Sequence, residues 1–149
     1  MKPTAPGPTP QEKAIAPLSM LINVDVEDLD AGIRFYEQAV GLKLRRRLFE
    51  GTVAELDGAS SPIYLLQKAE GSSPSADAHQ VRTYRRHWTP VHLDFVVAEM
   101  EAAVERALSA GAKIEGQVLV FSWGRLAQMS DPFGNGFCFV EWKGRGYDA

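Results

Sequence analysis

Apolar and polar positions along this chain alternate between two rhythms. In "VEDLDAGIRFYEQAVGLKL", which starts at Val26, Leu29, Ile33, Tyr36 and Val40 recur at helical spacing and form one apolar stripe. In "VAEMEAAVERALSAGAKI", which starts at Val97, Met100, Val104, Ala107 and Leu108 do the same. Acidic residues crowd both first turns (Glu27, Asp28, Asp30; Glu99, Glu101), where the helix dipole favours negative charge. Gly41 and Gly111 follow the stripes, at the position where a helix end takes a positive φ. Around the helices the period shortens to two. The alternation predicts strands over 42–49, 52–57 and 62–68, and again over 112–120, 125–130 and 137–142. Turns separate them at "EGT", "DGASSP" and "DPFGNG". A further strand precedes each helix, and the second of these reads "TPVHLDFVV" over 89–97.

The two rhythms repeat in the same order. At an offset of 71, Val26 falls on Val97, Leu29 on Met100, Asp30 on Glu101, Ala31 on Ala102 and Ile33 on Val104. One residue is then dropped, and Gly41 falls on Gly111. The organisation is therefore βαβββ, linker, βαβββ. Module one spans 18–69 and module two 89–143. The Gly/Ser/Pro/Ala-rich stretch over 70–88 reads as a mobile linker loop, and 144–149 as an exposed or interface-contacting tail. The opening 1–17 carries five prolines and no apolar core of a signal peptide, so it reads as an extended mobile arm.

A strand turns successive side chains to opposite faces. Val91, Leu93 and Phe95 are expected to pack under the helices, leaving His92, Asp94 and Val96 on the other face. In the first strand Met20, Ile22 and Val24 are expected against the helix, with Leu21, Asn23 and Asp25 opposite. A neutral imidazole can act as a general base, and Asp94 can fix the tautomer of His92. Residues two apart on a strand are separated by about 6.6 Å, so contact requires both side chains to lean together.

The stretches "VDVEDLDAGIRFYEQAVGLKL", "VHLDFVVAEMEAAVERALSAGAKI" and "GRLAQMSDPFGNGFCFVEW", with the repeat, resemble the vicinal oxygen chelate superfamily over about residues 18–143. This is the group of glyoxalase I, bleomycin-resistance proteins and extradiol dioxygenases. The resemblance implies an α+β fold of two tandem βαβββ modules forming a cup-shaped mixed sheet, with the ligand site in the cup. It further implies a homodimer. Metal-dependent members carry a ligand on the first and last strand of each module. Those positions fall here on Leu21, Tyr64, His92 and Cys138, and only His92 matches. Leucine has no lone pair to give, and one imidazole with one thiol is an incomplete shell for a divalent ion. A slip of register would bring in Gln67 or Glu141, and Asn23 or Asp94 could add oxygen donors.

The expected cup wall is Leu21, Asn23, Tyr64, Leu66, His92, Asp94, Cys138 and Val140: mostly apolar with a few orienting polar groups. "RTYRRHWTP" sets Arg86 and Trp88 beside its mouth, as grips for an anionic or aromatic ligand or as an interface contact. Trp123, with Phe121 and Trp142, either walls the pocket or packs in the core. Cys138 has no basic neighbour in sequence and reads as a buried structural thiol.

Composition narrows the rest. The 149 residues are 45% apolar and 23% charged, with a formal charge of −3, which gives no reason to expect nucleic acid. The clusters "RRR" at 45–47 and "RTYRR" at 82–86 read as solvated faces or ligand-contacting loops. No apolar run reaches the roughly 20 residues of a membrane span. Cys138 is the single cysteine, so no internal disulfide can form, and a cytoplasmic protein is expected. The leading reading is a small-organic-ligand binder without the usual metal. The alternative is a metal-dependent lyase, isomerase or dioxygenase holding Zn, Ni, Fe or Mn at His92 with Asp94, Tyr64 or Glu141. A non-catalytic interaction module is the third reading.

Overall fold

The computed structural model describes residues 1–7 and 18–148. The Pro-rich arm therefore lies largely outside the described residues. Module one runs β1 (Ile22–Val26), α1 (Leu29–Val40), β2 (Lys43–Leu48), β3 (Val53–Asp57) and β4 (Ile63–Gln67). Module two runs β5 (Leu93–Val96), α2 (Met100–Ser109), β6 (Lys113–Ile114), β7 (Leu119–Phe121), β8 (Gly124–Ser130) and β9 (Gly136–Trp142). The first sheet has the order β1-β4-β3-β2. The second is β5-β9-β8-β6, with β7 also on β8. Each is mixed, because β1 runs parallel to β4 and β5 parallel to β9 while the other pairs are antiparallel. The fold is the α+β pair of modules that the repeat implies.

The helices form where the stripes place them, and the same device starts both. Asp28 accepts the Ala31 N–H at 3.0 Å as the cap of α1, and Gln67 at the end of β4 accepts the Leu29 N–H at 3.1 Å. At α2 the cap residue Glu99 makes no such bond. Glu141, near the end of β9, instead accepts the Met100 N–H at 2.6 Å. Gln67 and Glu141, considered above as spare metal ligands, are thus the matched helix caps of the two modules. Gly41 takes φ 84° and Gly111 φ 111°, as the helix stops require.

The core lies between the paired helices and the sheets. Phe35 and Tyr36 of α1 meet edge-to-face at 4.9 Å, and Phe35 reaches Phe137 of β9 across the module boundary at 6.3 Å. Leu29, Leu56, Leu65, Met100 and Phe139 are all buried, each contributing about 1.5–3 kcal/mol by leaving water. In α2 the buried face is Met100, Ala103 and Ala107, and Leu108 is exposed, so the stripe is rotated from the one read in the sequence.

Three boundaries differ from the sequence reading. The stretch 112–120 is not one strand, because Gly116 takes φ 86° and breaks it into β6 and β7. β5 begins at Leu93, so Val91 is 81% exposed instead of lying under α2. Its ladder starts at Leu93 opposite Phe137, and the preceding Pro90 has no N–H to extend it. β1 likewise starts at Ile22, and Met20 is exposed rather than against the helix. Opposite that end stands Pro62, which accepts from the Ile22 N–H at 3.3 Å but cannot donate. The tail, read as exposed or interface-contacting, turns through a 3₁₀ segment (Gly146–Asp148) and sets Tyr147 against Trp142 at 4.7 Å and Trp123 at 5.1 Å.

The modules are stapled at the turn 131–135. Asp131, buried, accepts the Tyr36 hydroxyl of α1 at 2.6 Å, the Phe133 N–H at 2.8 Å, and the N–H and Nδ2 of Asn135 at 2.9 and 3.0 Å. Asn135 Nδ2 also donates to the Asp25 carbonyl of β1 at 3.2 Å. The linker joins the same knot, since the His87 N–H donates to the Gly134 carbonyl at 3.1 Å.

Candidate functional site

No ladder joins β1 to β5, and a cavity of about 800 Å³ lies between them. Ile22, Val24, Leu93, Phe95 and Phe137 supply its apolar surface, with Tyr36 beneath. The third wall is the end of the linker and the lead-in to β5, from Gln80 to Val91. That segment is held at several points. The Arg82 Nε donates to Asp25 Oδ2 at 2.7 Å, and its Nη1 to the Ser73 carbonyl at 2.9 Å. The Tyr84 hydroxyl donates to the Lys68 carbonyl at 2.5 Å, and Arg86 pairs with Glu115. The reading of 70–88 as a loose loop thus gives way to a strap fastened over 82–87. Beyond the last fastening, Trp88 is 77% exposed at the cavity rim.

On the module-two sheet face, His92 Nδ1 lies 3.0 Å from Asp94 Oδ1, so the two side chains do lean together. Asp94 sits opposite Cys138 in the β5–β9 register. Burial, then the Asp94 carboxylate beside it, pushes the Cys138 thiol up to about 12. Cys138 is buried, and both influences favour its thiol form. A smaller hollow of about 90 Å³ joins Cys138 and His92 to Arg86, Trp88, Glu115 and Gln128.

The module-one face carries a cluster that alternation in "VAELD" signals but that the cup reading left out. Glu55, 2% exposed, is opposite Tyr64 in the β3–β4 register and accepts its hydroxyl at 2.7 Å and the Arg46 Nε at 2.5 Å. A register shift in β2 between Leu44 and Arg46 lets consecutive arginines reach the same carboxylate, with Arg45 at 3.5 Å. The Tyr64 and Arg46 hydrogen bonds hold the Glu55 carboxyl below its usual range. A carboxyl lowered in the folded state adds stability above its unfolded value and loses it as pH falls through the folded one. Glu55→Gln should therefore lower the urea midpoint at pH 7, and the gap to the native protein should narrow towards pH 3.

The residues singled out in the sequence fall into separate places. Asn23, Trp88 and His92 line the large cavity. Arg86 and Cys138, with Trp88 and His92, line the small hollow. Asp94 stands behind His92. Leu21, Tyr64, Leu66 and Trp123 line neither. Leu21 is 63% exposed ahead of β1, and Trp123 stacks on Phe121 at 5.0 Å and meets Trp142 at 6.0 Å in a cluster near the tail. Tyr84 and His87, from the segment read as flanking the mouth, line the cavity too, and so does Asn135, which the sequence did not single out because only tertiary packing brings the turn to it.

The model of the glyoxalase-like domain family matches residues 21–140, nearly the whole of both modules. The chain belongs to this family. Among curated proteins, the anthracycline biosynthesis protein DnrV of Streptomyces peucetius is 31% identical over 97 residues, which cover 63% of this chain and 32% of that protein. This chain thus spans about a third of its curated relative. Solved structures share the fold. A glyoxalase-related enzyme from Fulvimarina pelagi has a TM-score of 0.66 at 17% identity, covering 85% of this chain and 88% of that one. TnmS3, an antibiotic binding protein from Streptomyces sp. CB03234, has a TM-score of 0.61 at 23% identity, covering 89% and 100%. The fosfomycin resistance protein FosX of Listeria monocytogenes gives 0.65 at 17%, covering 87% and 94%.

The metal arrangement that the resemblance implies takes ligands from both modules, and the donor set here does not fit it. Among the described residues, one group of three His, Cys, Asp or Glu ligand atoms comes within mutual reach: His92, Asp94 and Cys138, all from module two. Asp94 and Cys138 stand on one sheet, His92 immediately precedes β5, and the group has no contribution from module one. From module one the Tyr64 hydroxyl is bound to Glu55, and Leu21 offers no donor atom. No helix among the described residues is long and apolar enough to cross a membrane.

Proposed function

We propose that this glyoxalase-like domain binds a small aromatic molecule in the crevice between its two modules, without a catalytic metal. The observation that carries the reading is the cavity of about 800 Å³. Its size lies in the range of small-molecule sites, and its apolar floor is bordered by a few fixed polar groups. Its two opposite charges, Asp25 and Arg82, are bonded to each other, so it offers no net charge to an anion. Trp88 at the rim is a large exposed ring in position to cover a flat ligand. The 31% identity to a protein named for the biosynthesis of anthracyclines, which are polycyclic aromatics, supports an aromatic ligand.

A thermal-shift screen of planar aromatic compounds tests this. At a hundred times Kd a ligand stabilises by about 2.7 kcal/mol, which for a chain of this size raises Tm by roughly 5–10 °C. Trp88→Ala should remove most of the shift. A broad aromatic panel with no response would favour the interaction-module reading. Protein purified without chelator is expected to hold well under one equivalent of metal. Stoichiometric Zn, Ni, Fe or Mn that disappears in His92→Ala would establish the metal-dependent reading instead.

A further inference from the structure

Six of the polar side chains that line the cavity share a bias, and Asn23, Gln80, Thr83 and Trp88, which also line the cavity, stand outside that bias. The His87 Nδ1 lies 2.9 Å from the Arg85 carbonyl, which can only accept, so the proton is on Nδ1 and Nε2 carries a lone pair. The His92 Nδ1 faces a carboxylate at 3.0 Å, which fixes the same tautomer. Among the described residues neither Nε2 has a protein partner. The hydroxyls of Tyr36 and Tyr84 donate to Asp131 and to the Lys68 carbonyl, and the Thr89 hydroxyl donates to the Val91 carbonyl at 2.6 Å. Asn135 donates through Nδ2 to Asp25 and Asp131, leaving its Oδ1. Six side chains lining the cavity thus direct their protons into the protein and keep lone pairs for whatever occupies it. Arg82, the strongest donor there, already donates through Nε and Nη1 to Asp25, Ser72 and Ser73.

We infer that the ligand is a hydrogen-bond donor: an aromatic compound with free hydroxyl groups of the phenol class, received by the Nε2 atoms of His87 and His92. The inference rests on the binding reading above and narrows it. An ether or quinone oxygen of the same shape would set lone pair against lone pair and cover the two imidazole acceptors without matching them, which is how a polar site rejects an isostere.

Calorimetric titration with 2,6-dihydroxynaphthalene and with 2,6-dimethoxynaphthalene tests it. The diol is expected to bind at least tenfold more tightly than the diether. His87→Phe and His92→Phe keep a ring of similar size while removing the acceptor. Each should weaken the diol about fivefold and leave the diether within twofold, with Tm measured to confirm that both variants are folded. Equal affinity for the two probes, or a diol preference that survives both substitutions, overturns the inference while leaving the crevice a ligand site. If neither probe binds the native protein, the binding reading falls and the inference falls with it.

Discussion

Gly134→Ala is expected to destabilise the protein by about 3 kcal/mol or more, against about 1 kcal/mol for Gly41→Ala. Both glycines hold a left-handed backbone, φ 81° and φ 84°, so the conformational penalty for a side chain is the same. Their surroundings differ. A methyl on Gly41 meets nothing within 4 Å, while one on Gly134 would overlap the Arg85 carbonyl and crowd the Arg86 nitrogen. Those are backbone atoms of the strap, fixed by the bond from the His87 N–H to the Gly134 carbonyl, and no rotamer change relieves the overlap. The turn and the strap must separate. Urea midpoints of the two variants check the energy, and tryptic cleavage after Arg82, Arg85 and Arg86 should accelerate in Gly134→Ala alone. Matching midpoints and matching digestion would show that the strap is not fastened where the structure has it.

Asp131→Ala should lose about 3 kcal/mol as well, by a different route. The substitution strips partners from the Tyr36 hydroxyl, the Phe133 and Asn135 N–H groups and the Asn135 amide, all in or beside the core. Tyr36→Phe removes one of the four bonds and should cost about 1 kcal/mol. Burial raises the Asp131 carboxyl above its usual 3.8, outweighing the hydrogen bonds from Tyr36 and Asn135 that lower it. A raised acid binds its proton more tightly when folded. Its contribution is therefore greatest below the unfolded value and declines as pH rises through the folded one. Asp131→Asn, which cannot titrate, should trail the native protein by more at pH 4 than at pH 6.5. Chemical denaturation at the two pH values measures this, and an equal gap at both would contradict the assigned cause.

Both variants act on the turn 131–135, and there the sequence could be read only in part. "DPFGNG" announces a turn through its Asp, Pro and Gly residues, and the structure has one. Nothing in those six letters says that Asp131 will hold a tyrosine 95 residues away, or that the Gly134 backbone will be covered by the linker. The same limit applies to Gln67 and Glu141. Their strands were read from alternation, but that each strand end reaches the start of a helix depends on how strand and helix pack. Glu55 was available by the alternation rule and needed only that the rule be applied to β3. Trp123 was not, because core, pocket wall and surface cluster all accept an aromatic residue at that spacing.

The sequence by itself determined the two-module architecture, the helix stops at Gly41 and Gly111 and the placing of His92 and Asp94 on one face, because periodicity and φ preferences act over a few neighbouring residues. Only the tertiary structure decided where the cavity lies and which side chains line it. The gap between β1 and β5, the strap across it and the direction in which each proton points all depend on contacts between residues far apart in the chain. A local pattern carries no record of such contacts.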